Sequence, residues 1–409
     1  MQNHRKPFLA FAVSLSTLSL ATPAFAQFNI TVDCTRGESL ANAAAFAFPN
    51  TILNIKGTCS GPVNINTNGL QLVACGATSI NGGGKNAITI SGAQRITLTG
   101  LTITGGANGI VAQNGAQITL KNDTVTANVL TGIVAQANSS VTLNGGSNTA
   151  NGLHGIDVES TSALVVTGSY AISGNGVFGI NVNNGSSLTL IAANLTVSNN
   201  TLGVQLGTNS SGFVDGQSQF NTSRNFTVGL TMVSRSHMVD FGGTITSDGN
   251  FIHGISLNSK SGLDLDAASQ VHASGNSVDG VHLEQLSVMT IFNNPQFSQA
   301  PDATRLTVEG NGGDGINLLS GSEILVDNFA SIASTINRQI GIALDDGSSI
   351  TFGQTIPVTG VATGVGANPI DLQLGFGSRL TYLANDVLGI VKCDSTVLVR
   401  GPGNIKCPM

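Results

Sequence analysis

Two stretches of the chain share one pattern, reading NGLHGIDVE at residues 151–159 and NGVFGINVN at residues 175–183. In both, a Gly follows an Asn by four residues, and an apolar-polar-apolar triplet follows the Gly. This alternation is typical of a β-strand with one buried face. A unit of about two dozen residues cannot bury such a face alone, so we expect the unit to repeat and to stack on its copies.

The pattern recurs along most of the chain. Its Gly residues are separated by 23, 23, 24, 24, 26, 25, 26, 35 and 26 residues, and they are Gly109, Gly132, Gly155, Gly179, Gly203, Gly229, Gly254, Gly280, Gly315 and Gly341. From Gly132 onward, an Asn precedes each Gly by four residues: Asn128, Asn151, Asn175, Asn199, Asn225, Asn250, Asn276, Asn311 and Asn337. Because Asn tolerates left-handed turns and its amide can both donate and accept, we expect these side chains to hydrogen-bond from copy to copy.

The stacking unit is predicted to contain strands only. No copy shows a 3.6-residue period, and β-branched residues and Gly dominate, which favours a parallel β-helix over a helical solenoid such as a leucine-rich repeat. Successive copies should then rise by about 4.8 Å. One core column is predicted to hold Ile156, Ile180, Val204, Leu230, Ile255, Val281, Ile316 and Ile342.

The composition agrees with an all-β fold. Of the 409 residues, 41% are hydrophobic, 9% are charged, 52 are Gly and none is Trp. This balance excludes a disordered chain and a long helical protein. The net charge of −6 provides no basic surface for phosphates, so no nucleic-acid partner is expected.

Four regions are expected along the chain. Residues 1–26 carry a basic start, an apolar run and Ala24-Phe25-Ala26, the order of a secretory signal peptide. The apolar run is too short to span a bilayer, so we expect a secreted, periplasmic or cell-surface protein without a membrane span. Residues 27–85 should form an N-terminal cap and the first coils, residues 86–391 the β-helix coils, and residues 392–409 a C-terminal cap.

The five cysteines lie near the two ends of the predicted stack. Export permits disulfides, and we expect Cys34 to pair with Cys59 and Cys393 with Cys407, leaving Cys75 unpaired. The sequence leaves the pairing among the first three open. The C-terminal pair would stabilise the fold by about 3 kcal/mol through chain entropy. Zinc is the rival interpretation, but no Cys-x-x-Cys pair or His cluster lies nearby in the sequence.

Several segments together carry a resemblance to a known family. They are a short helix over residues 36–46, LNIKGTC at 53–59, SINGGG at 79–84, and the Asn-x-x-x-Gly-Ile-x-Val coils. In these segments the chain resembles right-handed parallel β-helix repeat proteins of the pectate-lyase-like superfamily. The resemblance implies a right-handed solenoid with a short N-terminal capping helix. It implies no single reaction, because that superfamily includes lyases, hydrolases, epimerases, phage tailspikes and adhesins.

Alignment of the copies on their Gly residues predicts an outward polar strip. Its candidate binding residues are Asp157, Glu159, Asn181, Asn183, Gln205, Ser256, Asn258, Glu284 and Asn317. A mostly uncharged, hydrogen-bonding strip suits a neutral or mildly charged sugar chain. An ordinary solvated sheet face is the alternative.

The residue before each Gly forms another predicted column. His253, Asp279 and Asp314 occupy it on three successive copies, and His282 lies on the same copy as Asp279. Carboxylates about 5 Å apart suit acid-base or nucleophilic glycoside hydrolysis, so these four residues are the candidate catalytic residues. Solvated turn residues are the alternative.

Other chemistry of the superfamily is not visible. The lyase signature is missing, and so are the polygalacturonase motifs Asn-Thr-Asp, Gly-His-Gly and Arg-x-Lys and the epimerase motif Asp-Pro-His-Asp. An Asp-Asp pair occurs at Asp345-Asp346, but the other polygalacturonase motifs do not accompany it. We expect no cofactor and assign no metal ligands. Calcium held by Asp240, Asp248, Asp264 and Asp266 is the alternative.

These features lead to two expectations of function. The first is a secreted, non-catalytic β-helix that presents its polar face to an extracellular or cell-wall polysaccharide. The second is a polysaccharide lyase or glycoside hydrolase that acts on an acidic or neutral glycan through the four candidate catalytic residues. Regular Thr-x-Thr segments at residues 97–99, 102–104 and 124–126 indicate an ice-binding face as a third alternative. The sequence does not predict the oligomeric state.

Overall fold

The computed structural model describes residues 28–293, 304–327, 330–353, 364–366, 368–382 and 391–401. Within them the chain folds into an all-β parallel solenoid, which confirms the expected β-helix. The predicted signal segment and Cys407 lie outside the described residues. None of the helices in these ranges has the length and hydrophobicity needed to cross a bilayer.

One sheet, which we call the short-strand sheet, takes a single strand from each coil. Its fourteen strands are Val63–Ile65, Ile88–Ser91, Ile110–Gln113, Ile133–Ala135, Ile156–Val158, Phe178–Val182, Leu202–Leu206, Leu230–Met232, Ile255–Leu257, Val281–Leu283, Ile316–Leu318, Ile340–Leu344, Ile370–Leu374 and Val391–Cys393. Neighbours in this sheet pair in parallel, as Ile156 with Ile180 and Ile180 with Val204.

The second sheet, the long-strand sheet, wraps around the rest of each coil. Its strands are Asn29–Asp33, Ile52–Ser60, Gln71–Asn81, Ile96–Thr99, Thr102–Thr104, Gln117–Thr126, Ser140–Thr149, Ala163–Ser173, Ser187–Ser198, Ser211–Val214, Gln219–Asn221, His237–Phe241, Thr244–Thr246, Gly262–Asp266, Gln270–His272, Val288–Ile291, Arg305–Glu309, Glu323–Asp327, Ser331–Thr335, Ser349–Gly353, Gly364–Gly366, Arg379–Thr381 and Leu398–Arg400. The long strands bend at left-handed residues such as Asn122 and Gly168. In most later coils the bend divides the strand in two.

The core lies between the sheets and runs the length of the stack. Alternate residues of each strand point inward, and the predicted core column is confirmed, because Ile156, Ile180 and Val204 are fully buried and in register. Burial of a side chain of this size contributes about 1.5 to 3 kcal/mol. Each coil therefore gains its stability from the coils above and below it.

A ladder of buried Asn side chains runs down the turn before the short strands. From Asn151 onward, each Asn Oδ1 accepts hydrogen bonds from the main-chain N–H and the Nδ2 of the Asn one coil earlier, as Asn151 does from Asn128 at 3.1 and 2.9 Å. The first member, Asn128, accepts from the Gly106 N–H at 3.0 Å. The members are Asn128, Asn151, Asn175, Asn200, Asn225, Asn250, Asn276, Asn311, Asn337 and Asn368. The expected amide ladder is therefore present.

One predicted ladder position is wrong. Asn199 has the expected offset from Gly203, but it is exposed and adopts a left-handed φ of 56°. The adjacent Asn200 is buried and accepts from the Asn175 N–H at 3.0 Å. The turn of this coil is one residue shorter between the ladder and the Gly, so the offset of four residues fails there.

The recurrent Gly residues are required by close packing between coils. A Cβ on Gly155 would lie 2.5 Å from the carbonyl oxygen of Gly179 and 2.8 Å from Nδ2 of Asn175. A side chain at this column would therefore separate the coils or displace the Asn ladder. The regular spacing of Gly residues in the sequence therefore marks the positions where the main chains of adjacent coils are in close contact.

The N-terminal end is covered by a short helical segment. A 3-10 turn at Cys34–Arg36 precedes the α-helix Leu40–Ala45, whose N-cap Ser39 accepts a hydrogen bond from the Asn42 N–H. Leu40 and Ala44 pack into the end of the core. The helix is shorter than the predicted residues 36–46 but occupies the expected place.

The cysteines largely follow the prediction. Cys34 and Cys59 form a disulfide, and Cys75 is free and exposed. Cys393 is also disulfide-bonded, and its predicted partner Cys407 lies outside the described residues.

Candidate functional site

The outward face of the short-strand sheet carries the predicted polar strip. Asp157, Asn181 and Gln205 occupy equivalent positions on successive strands. Asn181 Nδ2 donates to Asp157 Oδ1 at 2.9 Å, and Gln205 Nε2 donates to Asn181 Oδ1 at 3.2 Å. The same column continues through Thr231, Ser256, His282 and Asn317. Register thus confirms the predicted order of this column.

A second polar column lies two residues further along each strand. Asn258 Nδ2 hydrogen-bonds to Glu284 Oε1 on the next coil. Asn183 Oδ1 accepts from the Asn184 N–H at 2.9 Å and lies against Gly207. Glu159 occupies the same column nearer the N-terminus. The nine predicted binding residues therefore follow one face over several coils and do not converge on a single pocket.

On the N-terminal part of this face, the surroundings raise the pKa values of two carboxyl groups. Burial raises the pKa of Asp157, although the hydrogen bond from Asn181 opposes the shift. The charge of Asp157, and then burial, raise the pKa of Glu159, while His154 acts in the opposite direction. Both shifts favour the protonated form of these two carboxyl groups.

Two exposed aromatic rings that the sequence pattern did not single out lie in the turns before the short strands. Phe226 and Phe251 are 65% and 69% exposed and follow ladder residues on successive coils. They lie in the turns that lead into the strands Leu230–Met232 and Ile255–Leu257. Large exposed apolar side chains on neighbouring coils are a signal of a binding surface.

Three of the four candidate catalytic residues meet at one edge of the face. Asp279 Oδ2 lies 3.1 Å from His282 Nδ1 and 3.4 Å from His253 Nδ1. The two imidazole rings stack with centroids 4.5 Å apart and an interplanar angle of 18°. The side chains are 16% exposed for His253, 15% for His282 and 5% for Asp279, so the cluster is reachable from solvent.

The fourth residue, Asp314, joins the cluster through the main chain. Its N–H donates to Asp279 Oδ1 at 3.0 Å, and its own Oδ1 accepts from the Ile340 N–H at 3.0 Å. Asn317 Nδ2 lies 3.5 Å from Asp279 Oδ2. The structure therefore brings the predicted group together.

The column before the Gly also has a structural role that sequence reasoning missed. Asn108 Oδ1 accepts from the Thr131 N–H at 3.1 Å, and His154 Nδ1 accepts from the Phe178 N–H at 3.4 Å. His253 Nδ1 accepts from the Asp279 N–H in the same way at 3.4 Å. Side-chain acceptors at this position therefore join consecutive coils, and this structural role does not require that they take part in catalysis.

Electrostatics separate the groups of the cluster. Burial, then the charge of His282, lower the pKa of His253 to about 4, while Asp279 opposes the shift. Burial alone would raise the pKa of Asp279, but hydrogen bonds from His282 and the Asp314 N–H bring it below its usual value. Burial, then the charge of Asp279, raise the pKa of Asp314 to about 6. The two carboxyl groups are thus shifted in opposite directions.

Within the part of the chain that the structure describes, one group of three residues could hold a metal ion. It consists of His253, Asp279 and His282, whose ligand atoms all lie within 4.8 Å of one another.

The four carboxylates considered for calcium form no such group among the described residues. Asp240 is fully buried, whereas Asp264 is half exposed and pairs with His237 at 3.0 Å. Asp248 Oδ1 accepts from the Ser274 N–H at 2.7 Å. Asp266 lies at the bend that follows its strand, where its Oδ1 accepts from the Ala267 N–H. Calcium at these positions stays an untested prediction.

Comparison with known proteins identifies the fold. Residues 61–228 match the family model described as right handed beta helix region. No curated protein sequence is significantly similar to the chain. The match over residues 61–228 and the parallel strand topology agree on a right-handed parallel β-helix fold.

The chain aligns with several solved structures at low sequence identity. The A-module of a mannuronan C-5 epimerase from Azotobacter vinelandii is 11% identical, over 92% of this chain and 89% of that chain, with a TM-score of 0.39. PfbA, a surface adhesin of Streptococcus pneumoniae, is 9% identical over 90% and 91% of the two chains, with a TM-score of 0.41. An alginate lyase from Paenibacillus sp. is 12% identical over 73% and 93%, with a TM-score of 0.32.

Proposed function

We propose that this β-helix protein binds an extracellular or cell-wall polysaccharide along the outward face of its short-strand sheet, without converting it. The observation that carries the proposal is the row formed by Asp157, Asn181 and Gln205, whose amide and carboxylate groups hydrogen-bond from coil to coil and repeat at the spacing of the coils. Asn181 is 7% exposed and holds the row in place, while the half-buried Asp157 and Gln205 flank it at the surface. A surface that repeats about every 4.8 Å can offer equivalent donors and acceptors to successive units of a polymer.

The exposed phenylalanines support a sugar ligand. A pyranose ring has an apolar face of C–H groups as well as hydroxyls at its rim. Phe226 and Phe251 provide exposed apolar rings in the turns that lead into the strands Leu230–Met232 and Ile255–Leu257, while the strip provides hydrogen-bonding groups. Aromatic rings contribute a large contact area at low entropic cost.

The form of the face favours a polymer over a small molecule. Small-molecule sites are concave and enclose most of their ligand. Here the polar columns extend from Asp157 to Asn317 across neighbouring strands of one sheet. A chain laid along the stack could contact several coils at once, and many weak contacts would add up to useful affinity.

A location outside the cytoplasm is part of the proposal. The Cys34–Cys59 disulfide and the disulfide-bonded Cys393 are typical of proteins that fold in an oxidising compartment. The signal segment expected at residues 1–26 agrees with this. Secretion, the periplasm and the cell surface all satisfy the same chemistry.

A second candidate function is a polysaccharide lyase or glycoside hydrolase. Its support is the placement of Asp279 and Asp314 on adjacent coils, beside His253 and His282, at the edge of the same face. A glycan bound along the strip would pass this cluster.

Binding to a panel of pectin, alginate, a neutral glucan and a mannan separates these functions. We expect the double substitution of Asn181→Ala with Gln205→Ala to weaken binding at least tenfold. The matched control is Thr119→Ala with Thr142→Ala, a pair of neighbouring outward residues on the long-strand sheet, and it should leave binding unchanged. Binding that is insensitive to the first pair would overturn the proposed face.

The same incubations are assayed for turnover. Binding without new reducing or unsaturated ends supports the non-catalytic function. Products that disappear in Asp279→Ala and Asp314→Ala would instead establish the enzymatic alternative.

A further inference from the structure

The cluster of His253, Asp279 and His282 has the spacing of a metal coordination site. The distances from Asp279 Oδ2 to the two imidazole Nδ1 atoms are 3.4 and 3.1 Å. Ligands bonded at about 2.1 Å to one tetrahedral ion lie about 3.4 Å from each other. The ligand atoms of all three side chains lie within 4.8 Å of one another. We propose that these three side chains bind a divalent transition-metal ion of the zinc class.

His253 has a lone pair available for an ion. Its Nδ1 lies 3.4 Å from the Asp279 main-chain nitrogen and 3.4 Å from Asp279 Oδ2, and in the tautomer that accepts from the N–H its lone pair is free of a proton. The hydrogen bond is long, and a metal ion would compete with it for the lone pair. His154 occupies the equivalent position in another coil with the same 3.4 Å contact to a main-chain N–H, but Phe178 stands where the cluster has Asp279. The structural bond therefore needs a His or another acceptor only, whereas the cluster adds two further ligands.

The surroundings hold the other two ligands in place. Asp279 Oδ1 accepts from the Asp314 N–H at 3.0 Å, which directs Oδ2 toward the imidazoles. His282 Nε2 faces Glu284 Oε2 at 3.9 Å, and Asn258 hydrogen-bonds to the same carboxylate. When Nδ1 of His282 binds a metal, its proton resides on Nε2, opposite Glu284. A carboxylate behind a metal-bound imidazole is the usual outer-shell arrangement.

The donor set selects the class of ion. Two imidazole nitrogens and one carboxylate oxygen suit Zn²⁺, Co²⁺, Ni²⁺ or Cu²⁺, whereas Ca²⁺ and Mg²⁺ prefer oxygen ligands. The partial exposure of both imidazoles leaves a side of the site open to water or to a ligand. This inference is independent of glycan binding.

Titration of ZnCl2 into the chelator-treated full chain tests the site by calorimetry. We expect one Zn²⁺ per chain, with affinity at least a hundredfold weaker in His282→Gln and in His253→Gln. Glu284→Gln should weaken it about tenfold, as removal of an outer-shell carboxylate does. His154→Gln is the matched control, because it removes the same kind of inter-coil hydrogen bond, and it should leave Zn²⁺ binding unchanged.

CoCl2 gives a second readout that does not depend on stability. Visible d–d absorption bands should appear with the wild-type chain and be absent in His282→Gln, whose side chain makes no main-chain hydrogen bond that the fold requires. CaCl2 should not compete. No Zn²⁺ binding by the wild type, or Zn²⁺ binding that survives both His substitutions, overturns the proposal.

Discussion

Asp240 carries a carboxyl group on the buried side of the long-strand sheet. Asp240 lies in the strand His237–Phe241, where its side chain points inward and is fully buried. Oδ1 accepts from the Gly243 N–H at 2.9 Å, but Oδ2 is buried without a hydrogen-bond partner among the described residues. The nearby Ser269 hydroxyl donates to the main-chain oxygens of Asp240 and Asp266. Burial raises the pKa of Asp240 to about 7.

This shift makes Asp240→Asn a pH-dependent stabilising substitution. The folded carboxyl holds its proton more tightly than the unfolded one, so its contribution to wild-type stability falls as pH rises from about 4 to 7. We expect the variant and the wild type to be equally stable near pH 4. Above pH 7 the variant should be more stable by about 4 kcal/mol, from the linkage of a shift of this size.

Thermal midpoints measured from pH 4 to pH 8.5 check this expectation. Asp264→Asn is the control, because its hydrogen bond with His237 lowers the pKa of Asp264, and its loss should give no gain at high pH. A constant difference between Asp240→Asn and the wild type across the range would show that Asp240 is not protonated in the fold.

At the scale of elements, the Asn ladder determines how adjacent turns join. From Asn151 onward, each Oδ1 accepts from two donors of the preceding coil, so a substitution in the ladder leaves buried donors without an acceptor. Asn200 accepts from the N–H and the Nδ2 of Asn175 at 3.0 and 2.9 Å, whereas its neighbour Asn199 is exposed. Of these two adjacent asparagines, only Asn200 therefore contributes to the packing between coils.

We expect Asn200→Ala to lower the free energy of unfolding by about 2 kcal/mol, because two buried donors lose their acceptor. Asn199→Gly should change it by less than about 0.5 kcal/mol, because Gly accepts the left-handed conformation and no buried contact is lost. Urea unfolding followed by circular dichroism measures both. Equal effects of the two substitutions would contradict the ladder as the stabilising element.

The same pair of residues shows how far the sequence predicts this fold. Spacing between Gly residues is sufficient for the core register, because a strand that slipped by one residue would expose Ile156 and Ile180. It is insufficient for Asn200, because turn length can change by one residue without changing the strand period.

The sequence likewise predicts one part of the candidate site and not another. The spacing places His253 and Asp279 on neighbouring coils, as the structure confirms. It cannot reveal that His253 accepts a main-chain N–H, nor that Asp240 and Asp264 of the calcium set point to opposite sides of one sheet. Those facts depend on side-chain direction and on the bends of the long strands, which no periodic pattern encodes.

At the scale of the whole molecule, the solenoid is nearly one-dimensional. Each coil contacts its two neighbours, so local damage should spread by nearest-neighbour coupling and fade along the stack. The Cys34–Cys59 disulfide ties the first coil to the cap across a separation of 25 residues. It therefore protects one end of the molecule.

We expect Cys34→Ser with Cys59→Ser to destabilise the N-terminal coils by about 3 kcal/mol, the chain-entropy effect of a loop of this size. Hydrogen exchange should accelerate in Asn29–Asp33 and Ile52–Ser60, and it should be unchanged in the central strand Ser187–Ser198. Cys75→Ser, at the free and exposed cysteine, is the control. Uniform acceleration along the chain would refute nearest-neighbour behaviour.

The ladder also affects how the protein ages. Asn151, Asn175 and Asn311 are each followed by Gly, the pairing in which a flexible chain loses its side-chain amide fastest through a cyclic imide. In the stack, hydrogen bonds to the adjoining coils fix these amides, so ring closure requires the turn to open first. The rate of deamidation at these sites would therefore report how often the coils open. Each deamidation would leave an ionised acid in a row of neutral amides.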